Sequence, residues 1–166
     1  MGTEYKLHCS KCGYNMELSL GVGFMYPQFY VEMQEKGKLG ELGKEIKEFF
    51  DEYPSGVIDP VSIILQCEKC GEYETAPSLN MYILDESKPP RRKNNIRWSV
   101  AMSADDVDYI PLGNFKANYK LRKEHQHRCK RCGGKMKVFL EDDLANLKCP
   151  RCKEQVLTPE ILACWD

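Results

Sequence analysis

The chain has 166 residues, 42% apolar and 30% charged, with 24 Lys and Arg against 25 Asp and Glu. That balance is of globular rather than disordered type. No apolar run approaches the ~18 residues needed to span a bilayer, and the first residues lack a basic-then-apolar leader pattern, so a cytoplasmic protein outside the membrane is expected. Residues 3–8 predict a short strand running into Cys9. Tyr14 to Leu20 alternates, with Met16, Leu18 and Leu20 apolar, and predicts the strand that follows. Gly21-Val22-Gly23 then breaks the pattern as a turn, since no Lys-Ser or Lys-Thr follows to make a phosphate loop. Leu39, Leu42, Ile46, Phe49, Phe50 and Tyr53 recur at spacings of three and four, which predicts a helical insert over about 28–53. Gly37 and Gly40 are expected to divide it into helices over about 28–36 and 40–53, and Pro54-Ser55-Gly56 to end it. Glu41, Lys44, Glu45, Lys47, Glu48 and Glu52 form its solvated face.

Val61 to Gln66 reads as a buried strand, and Leu79 to Leu84 as the strand leaving the knuckle at Cys67 and Cys70. Residues 85–95 hold two prolines and no apolar residue, which predicts a linker. Ile96 to Met102 reads as a strand, 103–117 as irregular, and 118–128 as the approach to Cys129. Met136, Val138 and Leu140 alternate as a strand, and Leu144 to Lys148 leads into Cys149. Thr158-Pro159-Glu160 has the form of a helix start, with Thr158 as cap and Pro159 in the first turn.

Eight of nine cysteines fall into four identically spaced pairs: Cys9/Cys12, Cys67/Cys70, Cys129/Cys132 and Cys149/Cys152. Two intervening residues let both thiolates face one tetrahedral ion from a tight turn, and two such turns complete a four-sulfur shell. Gly13, Gly71 and Gly133 follow three of the pairs and permit the positive φ such a turn uses, whereas Lys153 follows the fourth. Sequence proximity groups Cys129, Cys132, Cys149 and Cys152 as one site, and Cys9, Cys12, Cys67 and Cys70 as another. Spacing leaves an exchange of knuckles between the halves open. Two Zn(2+) ions are the expected cofactors, with iron the alternative because it takes the same four-sulfur geometry.

Cys129-Lys130-Arg131-Cys132-Gly133-Gly134 through Cys149-Pro150-Arg151-Cys152 resembles a zinc ribbon. Cys9-Ser10-Lys11-Cys12-Gly13-Tyr14 resembles the first knuckle of zinc ribbons and of rubredoxin-like proteins. The whole is similar in outline to uncharacterised bacterial proteins with paired Cys-x-x-Cys knuckles. The resemblance implies metal binding and a ribbon fold, and no particular activity. The expected fold is therefore a small, metal-stabilised α+β protein of two zinc-ribbon-like β units. The first covers 1–84 with the helical insert, 85–95 links them, and 96–166 forms the second. A ~40-residue ribbon cannot fold on apolar burial alone. Zinc is expected to supply on the order of 10 kcal/mol or more per site.

Charge is unevenly spread: residues 1–85 carry net −7, residues 86–137 net +9, and residues 138–166 net −3. Each four-thiolate zinc site adds about −2, so Lys11, Lys69, Lys130, Arg131 and Arg151 inside the knuckles are expected to offset sulfur charge. Arg91, Arg92, Lys93 and Arg97, beside Trp98, are left as the nucleic-acid candidates. All eight paired ligands are cysteine, which describes closed structural sites rather than open catalytic ones. His125 and His127 are either extra metal ligands or surface residues. Asp105/Asp106 and Asp142/Asp143 lack a companion base or nucleophile and read as turn and cap residues. Cys164 is expected to be buried beside Trp165. The sequence thus points to a non-enzymatic adaptor that binds another protein, through the acidic helical insert or the aromatic residues Phe24, Tyr26, Phe29 and Tyr30. Nucleic-acid binding and rubredoxin-like electron transfer are the alternatives.

Overall fold

The structure, a computed structural model, describes residues 2–21, 26–88, 94–96, 107–111 and 117–165. In chain order the elements are β1 (Gly2–His8), β2 (Asn15–Gly21), α1 (Tyr26–Leu39), α2 (Lys44–Glu52), β3 (Val57–Ile58), β4 (Ser62–Cys67), β5 (Tyr73–Pro77), β6 (Met81–Leu84), β7 (Asn94–Ile96), β8 (Val107–Tyr109), β9 (Tyr119–Lys123), β10 (Met136–Phe139) and β11 (Thr158–Trp165), with a 3₁₀ helix over Glu141–Asn146 before the last knuckle. The fold is α+β, as expected. Its two units, however, alternate along the chain. The first comprises Met1–Phe24, Val61–Ser78 and Gln126–Asp166, and the second Met25–Pro60 and Leu79–His125. This division differs from the expected cut at 85–95, because long-range strand pairing gathers distant segments into one sheet.

In the first unit, β1 and β2 form a hairpin in which Gly2 faces Gly21 and His8 faces Asn15. β4 and β5 form a second hairpin, from Ser62 opposite Pro77 to Gln66 opposite Tyr73. The hairpins join where Gly21 meets Ser62. β10 lies antiparallel to β4, with Met136 opposite Cys67, and β11 lies antiparallel to β1, with His8 opposite Thr158. The strand leaving the Cys67/Cys70 knuckle is therefore β5, not 79–84. Glu74, Thr75 and Ala76 give β5 little apolar alternation to read.

The helix expected at Thr158 is a strand. Local capping chemistry loses to a ladder of seven residue pairs along β1. Pro159 is tolerated because β11 is an edge strand, where one missing N–H breaks no central ladder. Cys164 on β11 is exposed, contrary to expectation. Val138 is 45% exposed, so only Met136 of the expected alternating set on β10 is buried.

Leu7, Leu18, Leu20, Ile64, Tyr73, Leu144, Leu147 and Leu157 pack with Cys9 and Cys149 in one core. Leu65 and Met136 pack with Cys67 and Cys129 in another. Each apolar cluster thus runs directly into a pair of cysteines.

The second unit holds the helices and the sheet β3-β6-β9, with β7 and β8 paired separately. Met33, Ile46, Phe49, Phe50, Ile58 and Met81 form its core. Gly37 lies inside α1 rather than ending it, because a Cβ there would stand 2.5 Å from the Phe50 ring. The break falls at Gly40 and Gly43, at φ +84° and +104°. That break leaves Leu39 71% exposed, off the apolar stripe. β8 occupies part of the stretch expected to be irregular. Gln34 is buried, and its amide makes both hydrogen bonds of a missing strand neighbour. It donates to the Ile58 carbonyl and accepts from the Ile58 N–H, each at 2.8 Å.

Candidate metal centre

Each knuckle is one tight turn repeated four times. The N–H of Gly13, Gly71, Gly133 and Lys153 donates to the carbonyl of Cys9, Cys67, Cys129 and Cys149, at 2.8–3.0 Å. The three glycines have φ near +70°, and Lys153 takes the same left-handed conformation at φ +61°. The turn is closed by an N–H from the first cysteine to the carbonyl of Tyr14, Glu72, Gly134 or Gln155. The fourth knuckle thus makes the same first turn without the glycine that normally permits it, but closes one residue later, at Gln155.

These turns bring the eight cysteines into two groups. Cys9, Cys12, Cys149 and Cys152 form one, and Cys67, Cys70, Cys129 and Cys132 the other, with all sulfurs of a group within 4.8 Å of one another. The grouping by sequence proximity is overturned: the first knuckle meets the last, and the two inner knuckles meet each other. The reason is the sheet itself. β11 along β1 carries the last knuckle to the first, and β10 along β4 carries the third to the second.

Sulfur separations across the groups are 3.7 Å for Cys9–Cys152, 3.5 Å for Cys12–Cys149, 3.4 Å for Cys67–Cys132 and 3.7 Å for Cys70–Cys129. Tetrahedral zinc with Zn–S of about 2.3 Å needs edges of about 3.8 Å, so a few tenths of an ångström of expansion fits the ion. In each group the first cysteine of a knuckle is buried and the second partly exposed. Gly134 makes room for the inner group, since a Cβ there would lie 3.0 Å from the Cys67 sulfur and 3.3 Å from that of Cys132.

The thiols are electrostatically uneven. Backbone N–H groups of Cys70 and Lys69 pull Cys67 down to about 6, and those of Gln155 and Glu154 do the same for Cys152. For Cys12 a backbone bond at Tyr14 acts downward, but burial and the Cys149 and Cys9 thiols push it up to about 11. Cys70 likewise feels a lowering bond at Glu72, outweighed by burial and its neighbouring thiols, and stands at about 12. Four sulfurs this close ionise together only around a cation.

The knuckle cations behave in a way sequence reading misses. Lys11 pairs with Glu154, Arg131 with Glu72 at 3.0 Å, and Lys130 with Glu74 at 3.6 Å. The first two pairs each link the two knuckles of one group, and the third ties the third knuckle to β5, which leaves the second, so the carboxylates mark which turns belong together. Among the described residues, neither histidine joins a cluster. His125 Nδ1 lies 3.1 Å from Glu45, and His127 is buried with Nε2 2.9 Å from the Ser78 carbonyl. Asp143 accepts the Leu140 N–H at 2.8 Å, the cap role expected of it. Tyr26 and Tyr30 are buried and pack 5.9 Å apart, so they offer no docking surface. Arg91, Arg92, Lys93, Arg97, Trp98, Phe24, Asp105 and Asp106 lie outside the described residues.

Among the described residues, two four-cysteine clusters on β-hairpin knuckles are consistent with a zinc-ribbon-like metal-binding module. Searches against protein-family models, curated proteins and solved structures return no match. No described helix is long and apolar enough to cross a membrane.

Proposed function

We propose that the protein is a non-enzymatic binding module whose first unit is held by two structural zinc ions. Cys9, Cys12, Cys149 and Cys152 would ligate one, and Cys67, Cys70, Cys129 and Cys132 the other. The observation that carries this reading is the convergence of all eight paired sulfurs into two sets with tetrahedral edge lengths. A fully occupied thiolate shell leaves no position for substrate or water, so the metal holds the hairpins and the chemistry ends there. An adaptor role fits such a scaffold, and Ile161 and Leu162 stand exposed on the edge strand β11. Native mass spectrometry with elemental analysis tests it: a colourless protein with two zinc ions per chain is expected. A red protein containing iron would replace this reading with electron transfer. A metal-free chain that keeps its fold would remove it.

A further inference from the structure

We infer that a cleft in the second unit binds a proline-rich peptide in the extended polyproline II conformation. The cleft has a volume of about 420 Å³ and is walled by α1, the turn before β3, the end of β8 and the start of β9. All its lining residues belong to the second unit, which carries none of the clustered cysteines. A peptide partner gives the proposed adaptor role its ligand and rests on that role.

One buried hydroxyl in the cleft lacks a partner. Tyr30 is 5% exposed and lines the cleft. Among the described residues its hydroxyl makes no hydrogen bond. Burial holds its proton far above the usual phenol range, so the group stays a donor. Its electrostatic neighbours are Tyr119 and Tyr26, and Tyr119 borders the same cleft. A buried donor without an acceptor destabilises a fold, and its retention points to an acceptor that arrives from outside. The adjacent Tyr26 hydroxyl shows the contrast: it donates to the Ile110 carbonyl at 3.0 Å and so ties the end of β8 to α1. Tyr26 also meets the Tyr109 ring edge to face at 6.1 Å. The wall is therefore formed before any ligand enters.

Three modes of peptide recognition compete for such a cleft. Strand addition is closed, because Gln34 already takes the N–H and the carbonyl of Ile58 on the edge strand β3. An amphipathic helix about 10 Å across needs a long, continuous apolar groove. Gln34, Glu35, Lys38 and Ser55 interrupt this one. A polyproline II segment needs less: about 9 Å of cleft for one three-residue turn, ring faces for the prolines, and a donor for a carbonyl that its own backbone leaves unbonded. Tyr109 and Tyr119 are half-buried and supply the rings, and Tyr30 supplies the donor. The rim adds charge. Glu35 is exposed and, among the described residues, in no ion pair. Lys38 is engaged over the Phe50 ring, 5.8 Å from its centroid, which leaves Glu35 as the uncommitted charge. A basic residue flanking the prolines complements it.

The test uses the full chain, with zinc counted by native mass spectrometry in every sample. Fluorescein-labelled decaproline with an N-terminal arginine is titrated and read by anisotropy, beside bare decaproline and an arginine-capped glycine-serine decamer. The arginine-capped decaproline is expected to bind, bare decaproline to bind about two- to fivefold more weakly, and the glycine-serine peptide not to bind. Glu35→Gln should erase the difference between the two proline peptides. Tyr109→Leu should weaken binding by roughly fivefold or more. Tyr30→Phe gives the sharpest outcome. It should weaken binding by roughly fivefold yet raise the melting midpoint of the free protein, because the hydroxyl it removes has no partner there. A tyrosine with a purely structural role would do neither. Four results would overturn the cleft: no binding by the two-zinc protein; equal binding of the glycine-serine peptide; a Tyr30→Phe protein with unchanged affinity or a lowered midpoint; or tighter binding of an amphipathic leucine-lysine helix, which would assign a helical partner. A zinc-free chain that still binds the proline peptide would instead strike at the metal reading and leave the cleft standing.

Discussion

At the scale of single residues, backbone conformation and unmatched polar groups decide what matters. Lys153 occupies a position where a Cβ is disfavoured. Lys153→Gly should therefore raise the thermal midpoint, by about 1 kcal/mol of stability, and the gain should be visible in a melting curve of the zinc-loaded protein. An unchanged or lower midpoint would mean that the turn is not strained. Gln34 is the opposite case. Its buried amide satisfies both polar groups of Ile58, so Gln34→Leu leaves an N–H and a carbonyl without partners. A loss of about 1–3 kcal/mol in denaturant unfolding is expected. The substitution of lysine for glycine after Cys152 was visible in the sequence; the conformation it adopts was not, because spacing reports a turn without its dihedral angles.

At the scale of elements, local signals served where structure is local and failed where it is not. β1, β2 and the four knuckle turns were readable, since a Cys-x-x-Cys turn flanked by alternating residues is a hairpin within one short stretch. The helices were readable from Ile46, Phe49 and Phe50, although Gly37 was misread because a glycine chosen for close packing looks the same as one chosen to break a helix. β11 was read as a helix because Thr158-Pro159-Glu160 carries cap chemistry, while the partner that makes it a strand lies at the other end of the sequence. Removing residues 158–166 should expose the outer edge of β1. Hydrogen exchange should then accelerate at alternate β1 amides, those facing β11, while the amides facing β2 stay protected. Uniform loss along β1 would show that the hairpin depends on β11 for its existence.

At the scale of the whole molecule, the eight ligand candidates were legible and their partnership was not. Identical turns carry no address, and the marks that distinguish them, Glu154 opposite Lys11 and Glu72 opposite Arg131, only acquire meaning once the turns have met. The observed grouping makes a sharp prediction for native mass spectrometry. Cys9→Ser with Cys149→Ser should leave one zinc ion, since both changes fall in the same cage, whereas Cys9→Ser with Cys67→Ser should leave none tightly bound. The reverse pattern would restore the sequence-proximity grouping. Zinc retention should also depend on acidity. Cys12 in one cage and Cys70 in the other hold their protons up to about 11 and about 12 without metal, so each cage expels at least one proton when it loads. Apparent affinity should rise by about tenfold or more per pH unit through neutrality, measured by chelator competition.

The nested order of the cages, inner knuckles spanning 59–65 residues and outer ones 137–143, has a consequence during synthesis. A ribosome releases the chain from its N-terminus, so Cys9 and Cys12 emerge first yet wait longest for their mates. The inner site can load as soon as Cys132 leaves the exit tunnel, while the first two thiols stay reactive until Cys149 and Cys152 have followed it. Whatever shields them in that interval, rather than the finished fold, would govern how much correctly loaded protein a cell obtains.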